Sequence, residues 1–180
     1  MTQDTPRAGD CLQPVLAYLR RHCLTLVTAE SCTGGLTAAA LADLAHCGQV
    51  LAGGYVCYWP ELKQGALGVN PETIRRHGLT SEPVAREMAR GALQRSPARI
   101  AVANTGLAEP PARGAADVAP GTVCFAWAMK LPNDQVCCST ETRVFQGGRN
   151  QVRLAAAHYC LLRLPAWYRE QCQQAGAATS

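Results

Sequence analysis

The chain has little of what would place it in a membrane, on a nucleic acid or around a metal. Its longest apolar stretches, Val50 to Tyr58 and Val123 to Met129, fall short of the roughly 20 predominantly apolar residues that a bilayer span needs. No membrane partner is expected. The opening residues, MTQDTPRAGD, have neither the basic start nor the apolar stretch of a secretory signal, so a cytoplasmic protein is expected. Ten cysteines are present, at positions 11, 23, 32, 47, 57, 124, 137, 138, 160 and 172, yet no pair has the C-x-x-C spacing of a zinc ribbon or a redox motif. No metal is expected, and the thiols read as small reduced hydrophobes. The 17 basic residues outnumber the 13 acidic ones by four, but they are scattered instead of forming a run, which argues against nucleic-acid binding. Only two of them are lysines, Lys63 and Lys130, against fifteen arginines.

What is there is the composition of a globular fold. A chain of 180 residues that is 48% hydrophobic and 17% charged can bury a sizeable core in one domain. Residues 1–10 read as a flexible N-terminus, 11–171 as the domain and 172–180 as a flexible tail. Leu12, Val15, Leu16 and Leu19 recur at helical spacing within Cys11 to His22, which predicts an amphipathic helix. A strand is predicted at Leu24 to Thr28, followed by the small-residue turn Glu30-Ser31-Cys32-Thr33-Gly34-Gly35 and an alanine-rich helix to about Ala45. Val50 to Tyr58 is β-branched and aromatic, with Gly53-Gly54 marking a bulge or a close backbone approach. Pro60 and Pro71 each suit a first helical position, where a missing N–H costs nothing. They predict short helices over Pro60 to Leu67 and from Pro71 up to Gly78. Ser81-Glu82-Pro83 opens a longer helix to about Arg95. A buried strand at Arg99 to Asn104, a loop from Thr105 to Pro120 and a hairpin of Val123 to Met129 with Val136 to Phe145 follow. A last helix is predicted over Arg149 to Leu164. Helices alternating with strands before a closing hairpin imply an α/β fold, a three-layer α/β/α domain with a mixed sheet.

Several separated segments resemble one family, the C-terminal domain of CinA. They are Thr28-Ala29-Glu30-Ser31-Cys32-Thr33-Gly34-Gly35, Gly54-x-x-x-Tyr58-x-x-x-x-Lys63, Leu67-Gly68-Val69, Thr80-Ser81-Glu82-Pro83-Val84, Thr105-Gly106-Leu107-Ala108, Pro120-Gly121-Thr122-Val123 and Gly148-Arg149-x-x-Val152-Arg153. The resemblance runs from Cys11 to about Tyr168. It implies a nicotinamide-nucleotide amidase, which converts nicotinamide mononucleotide and water to nicotinate mononucleotide and ammonia without metal or cofactor. The partner is then a small nucleotide substrate, and the sequence is compatible with a homodimer.

The same residues, read by their chemistry, agree with that reaction. Ser31 lies where a strand gives way to a helix, and the backbone N–H groups expected to be unpaired there could hold a phosphate or the oxyanion of an attacked carboxamide. The alternative is that Ser31 and Thr33 only cap the helix. No histidine lies in a segment that obviously reaches this turn, which disfavours a Ser-His-Asp triad. Lys63 can act as base if burial lowers its pKa, because a neutral amine accepts a proton and arginine effectively never does. Tyr58 could relay a proton. Expected substrate contacts are Thr33, Gly34, Gly35, Thr105, Gly106 and Arg149, with Arg149 suited to a phosphate and Arg153 assigned to the surface. Cys32 is a second candidate nucleophile, with packing its expected role.

Two departures stand out against the resemblance. Trp59-Pro60 stands where relatives resemble Ser-Asn, and Glu109 stands where they have glycine. Both are expected to narrow or recharge the pocket, so the chain could instead be a diverged binder of a nucleotide or partner, or an amidase with an altered substrate.

Overall fold

The computed structural model describes residues 10–110, 118–131 and 135–177. Five strands, β1 (Leu26–Glu30), β2 (Leu51–Val56), β3 (Ile100–Gly106), β4 (Thr122–Lys130) and β5 (Val136–Val144), form one sheet in the order β2-β1-β3-β4-β5. β1 is parallel to both β2 and β3, whereas β3, β4 and β5 run antiparallel. Six α-helices accompany them: α1 (Gln13–Arg21), α2 (Leu36–Ala42), α3 (Pro60–Leu67), α4 (Pro71–His77), α5 (Glu82–Gln94) and α6 (Arg149–Ala177).

The two faces of the sheet are packed differently, and the alternation along each strand explains how. On β4, Val123, Phe125, Trp127 and Met129 enter the core shared with α1, α2 and α6, while Cys124, Ala126 and Ala128 face the core built on α3 and α5. β3 repeats the pattern, with Ile100 and Val102 on the first face and Ala101 and Ala103 on the second. Successive side chains of a strand point to opposite faces, so bulky residues fill one layer and small ones let α5 sit close on the other. Trp127 also donates its indole N–H to the Cys160 carbonyl of α6 at 2.9 Å, which satisfies the polar atom of a buried aromatic. The result is the expected α/β/α layering with a mixed sheet.

Element positions depart from expectation where tertiary pairing overrides local pattern. β1 begins two residues later than predicted and continues to Glu30, which pairs with Val56 on one side and Asn104 on the other. β3 likewise absorbs Thr105 and Gly106, which the sequence assigns to a loop. α6 does not stop at Leu164 but passes through Pro165 to Ala177, so the helix takes in Cys172 to Ala177, which the sequence assigns to the tail. Proline in a helix interior costs about 3 kcal/mol. Leu164 and Trp167, both buried against the α1 side of the core, flank it and offset that cost, since losing a buried Trp alone is worth about 3–5 kcal/mol. The expected flexible N-terminus, the middle of the 105–120 loop and most of the hairpin turn lie outside the described residues.

Candidate active site

The chain leaves β1 toward β2 on one side and reaches β3 on the other, so the carboxyl ends of these three parallel strands frame a crevice. Open α/β sheets place ligands at such a reversal of strand order. The β1 end delivers Ser31, the β2 end delivers Cys57 and Tyr58, and the β3 end delivers Thr105 and Gly106.

The Ser31 turn is built around Glu30. This fully buried carboxylate accepts hydrogen bonds from the Thr28 hydroxyl at 3.0 Å, the Thr33 hydroxyl at 2.6 Å and the backbone N–H groups of Gly35, Thr37 and Ala38 at 2.9–3.0 Å. A carboxylate that gathers several donors, three of them at a helix start, is well compensated for burial. Wrapping the turn around it requires left-handed backbone at Gly34 and Gly35, with φ of 61° and 93°, which glycine adopts without the steric cost of a Cβ. Gly54 completes the enclosure, because a Cβ there would lie 2.5 Å from the Thr28 hydroxyl.

This corrects the expectation of unpaired donors awaiting a substrate anion. The N–H groups of Gly35, Thr37 and Ala38 are satisfied from within, and Thr33 is fully buried with its hydroxyl on Glu30 and 2.8 Å from the Asn104 side-chain oxygen. Thr33, Gly34 and Gly35 do not line the cavity described below. They shape the turn that presents Ser31.

Ser31 faces Lys63. Pro60 starts α3 with Trp59 as its extended N-cap, and side chains tilt toward a helix N-terminus, so the Lys63 amine reaches back to the end of β2. It lies 2.9 Å from Ser31 Oγ, 2.6 Å from the Cys57 carbonyl and 2.8 Å from the Tyr58 carbonyl. The side chain is 1% exposed and has no carboxylate in salt-bridge contact among the described residues. Burial penalises the ammonium and brings its pKa down to about 8. Two of the three neighbours are carbonyls, which only accept; a neutral amine gives its two N–H groups to them and keeps its lone pair for the third, the serine hydroxyl.

Tyr58 stands beside this pair, its hydroxyl donating to the Cys32 carbonyl at 3.3 Å. Cys32 itself is an unsuitable nucleophile, because burial pushes its thiol up to about 12. Arg153, assigned to the surface from sequence, is in fact a clamp on the Ser31 turn. Its Nε donates to the Cys32 carbonyl and its Nη2 to the Thr33 carbonyl, both at 3.0 Å. The signal was its position four residues after Arg149, one helical turn along the same face. Glu30 and Asn104 are the other contributors that sequence reasoning missed.

An open cavity of about 330 Å³ lies over Ser31, Tyr58 and Lys63, a size within the range of small-molecule sites. Thr105, Gly106, Glu109 and Arg149 also line it. Thr105 is buried and its hydroxyl donates to the Leu79 carbonyl at 2.8 Å, so that group is engaged within the fold. Arg149 is bound to Glu109, Nη1 to Oε1 at 2.7 Å, and both side chains are about half exposed. Trp59 is turned to solvent, 72% exposed and not among the lining residues, so the indole does not narrow the pocket as expected. A larger open depression, about 680 Å³, lies at the amino-terminal end of β1 between Ala17 and Gln49, and among its described lining residues there is no serine–lysine contact. Among the described residues no cluster of side chains could hold a metal ion, no disulfide joins two cysteines and no helix is long and apolar enough to cross a membrane.

Comparison with known proteins gives a consistent result. A family model described as the CinA C-terminal domain matches residues 10–167. A CinA-like protein of Chlorobaculum tepidum is 42% identical over 154 residues, covering 83% of this chain and 36% of that protein. One from Mycolicibacterium paratuberculosis is 41% identical over 152 residues, covering 84% and 34%. The chain thus spans about a third of the length of these curated relatives. Among solved structures, a competence or damage-inducible protein from Enterobacter asburiae superposes with a TM-score of 0.78 at 34% identity, covering 88% of this chain and 96% of that one. The competence/damage inducible protein CihA from Agrobacterium tumefaciens gives 0.78 at 37% identity, covering 88% and 93%.

Proposed function

The chain belongs to the CinA C-terminal domain family, and from that premise we propose that it is a serine amidohydrolase of the nicotinamide-nucleotide amidase type, hydrolysing the carboxamide of nicotinamide mononucleotide. The observation that carries the reading is the Ser31–Lys63 contact at 2.9 Å, made by an amine with two carbonyl acceptors and no carboxylate partner among the described residues.

Neutral Lys63 takes the Ser31 proton as Oγ bonds to the amide carbon, and the carbonyl π electrons move to oxygen. Lys63, now an ammonium, returns that proton to the amide nitrogen as the C–N bond breaks, releasing ammonia and leaving an acyl ester on Ser31. Water then attacks the ester with Lys63 again accepting the proton; Lys63 returns it to Ser31 Oγ as the C–O bond breaks, and the released acid loses its remaining proton to solvent to give the carboxylate. Splitting one difficult displacement into two easier ones is the general advantage of a covalent nucleophile. Tyr58 and Arg153, both on the Cys32 carbonyl, hold the turn so that Ser31 stays aligned with the amine. Burial of the amine against a serine, with no counter-ion among the described residues, favours the neutral form, since desolvating an unpaired ammonium is costly.

Ammonia release from nicotinamide mononucleotide tests the reading directly. Wild-type protein should release it and Ser31→Ala should not. Folded wild-type protein that releases no ammonia from this nucleotide, its riboside or simpler aromatic carboxamides would overturn the assignment.

A further inference from the structure

Among the described residues the cavity holds three ionisable side chains besides Cys32 and Tyr58, Lys63 at its buried end and Glu109 with Arg149 at its open end. Among the described residues Arg149 is the guanidinium that lines the cavity, and it begins α6, where the helix dipole disfavours a cation unless a negative partner is near. In this chain that partner is supplied internally: Glu109 Oε1 lies 2.7 Å from Arg149 Nη1. An incoming anion would meet a neutralised pair instead of a free guanidinium.

We propose that Glu109 is a specificity-determining residue, an internal occupant of the anion-binding end of the cavity that discriminates against carboxamides carrying a phosphate monoester. Both side chains are about half exposed, so the pair is screened and weak enough for a phosphate to compete with it. A phosphorylated amide must break the Glu109–Arg149 contact and then sit beside the displaced carboxylate. The same amide with a hydroxyl in place of the phosphate leaves the pair intact. The favoured substrates are therefore aromatic carboxamides whose distal group carries no negative charge, with the phosphorylated forms accepted at a raised Michaelis constant.

This inference deepens the amidase reading, and two kinds of measurement separate the failure of each. Binding of nicotinamide mononucleotide and of nicotinamide riboside is measured by titration calorimetry on Ser31→Ala protein, which needs no turnover. The same pair is then compared as substrates of protein with Ser31 intact. Glu109→Gln keeps the side-chain size and removes the charge. It should shift the ratio of the two dissociation constants toward the phosphorylated ligand by roughly three- to tenfold, the scale of one partly screened charge contact. Adding Arg149→Gln should abolish that shift, because the guanidinium the phosphate would claim is gone. A ratio that stays constant in Glu109→Gln would overturn the proposal. So would equal weakening of both ligands, which would make Glu109 a contact for the positively charged ring. If neither ligand is hydrolysed while the binding ratio still shifts, the amidase reading fails and the role of Glu109 stands.

Discussion

The two ends of the cavity are held by opposite means. At the inner end, Ser31, Lys63 and Glu30 are all buried, and each polar atom has fixed partners within hydrogen-bond distance. At the outer end a single ion pair between half-exposed side chains decides what charge the cavity shows to a ligand. Buried polar groups are costly to leave unpaired, so the inner end tolerates one arrangement. The outer end can be re-paired at little cost. In the proposed reading, chemistry belongs to the rigid end and selection to the soft one.

The largest effect should come from breaking the inner end at its base. Lys63→Arg keeps a charge but removes a group that can give up its proton near neutrality. Turnover should fall by about 10²-fold or more. With Lys63 at about 8, the rate should rise with pH and level off above that value, since only the deprotonated amine accepts the serine proton. A fixed ammonium that merely binds phosphate predicts the reverse: near-normal turnover in Lys63→Arg with a raised Michaelis constant, and no rise through pH 8.

Next comes the support beneath Ser31. Glu30→Gln leaves an amide nitrogen where a carboxylate oxygen met several donors. Unsatisfied buried donors cost about 1–3 kcal/mol each, so a loss of about 3 kcal/mol is expected, a fall in Tm of roughly 10 °C for a chain of this size. Thermal unfolding by circular dichroism measures it. A change under about 2 °C would mean that the turn is held by its glycines and by Arg153, with Glu30 incidental.

The same contrast governs what could be read from the amino-acid sequence. Proline at first helical positions placed α3 and α4 as found, and Pro60 is what sets Lys63 within reach of Ser31. That Ser31, Tyr58 and Lys63 lie together was legible because a strand end, a turn and a helix start are local features. Glu30 was not, because nothing local says that a strand-end carboxylate will turn inward and take the N–H groups of the next helix; that depends on Gly54 and Thr28 closing over it. Arg153 was misassigned for a related reason, since its acceptors lie about 120 residues away in sequence. Pro165 misled in the other direction: it marks a helix end locally, and only the core packing of Leu164 and Trp167 carries α6 through it.

The smallest effect is expected at the residue that sequence comparison made most conspicuous. Trp59 lies between Tyr58 and Lys63, yet its indole is 72% exposed and outside the cavity, and it caps α3 with no side-chain hydrogen bond. Trp59→Ser would place a hydroxyl at an N-cap, where serine is favoured over most other side chains by about 0.5–1 kcal/mol. The backbone carbonyl that accepts from Lys63 N–H at 3.1 Å is kept. The variant should therefore be slightly more stable, by about 2 °C in Tm, with the Michaelis constant for nicotinamide mononucleotide changed less than about twofold, in contrast to the shift expected from Glu109→Gln. A tenfold change in that constant from Trp59→Ser alone would place the indole in the cavity of the substrate-bound protein and move selectivity from the outer ion pair to the rim of α3.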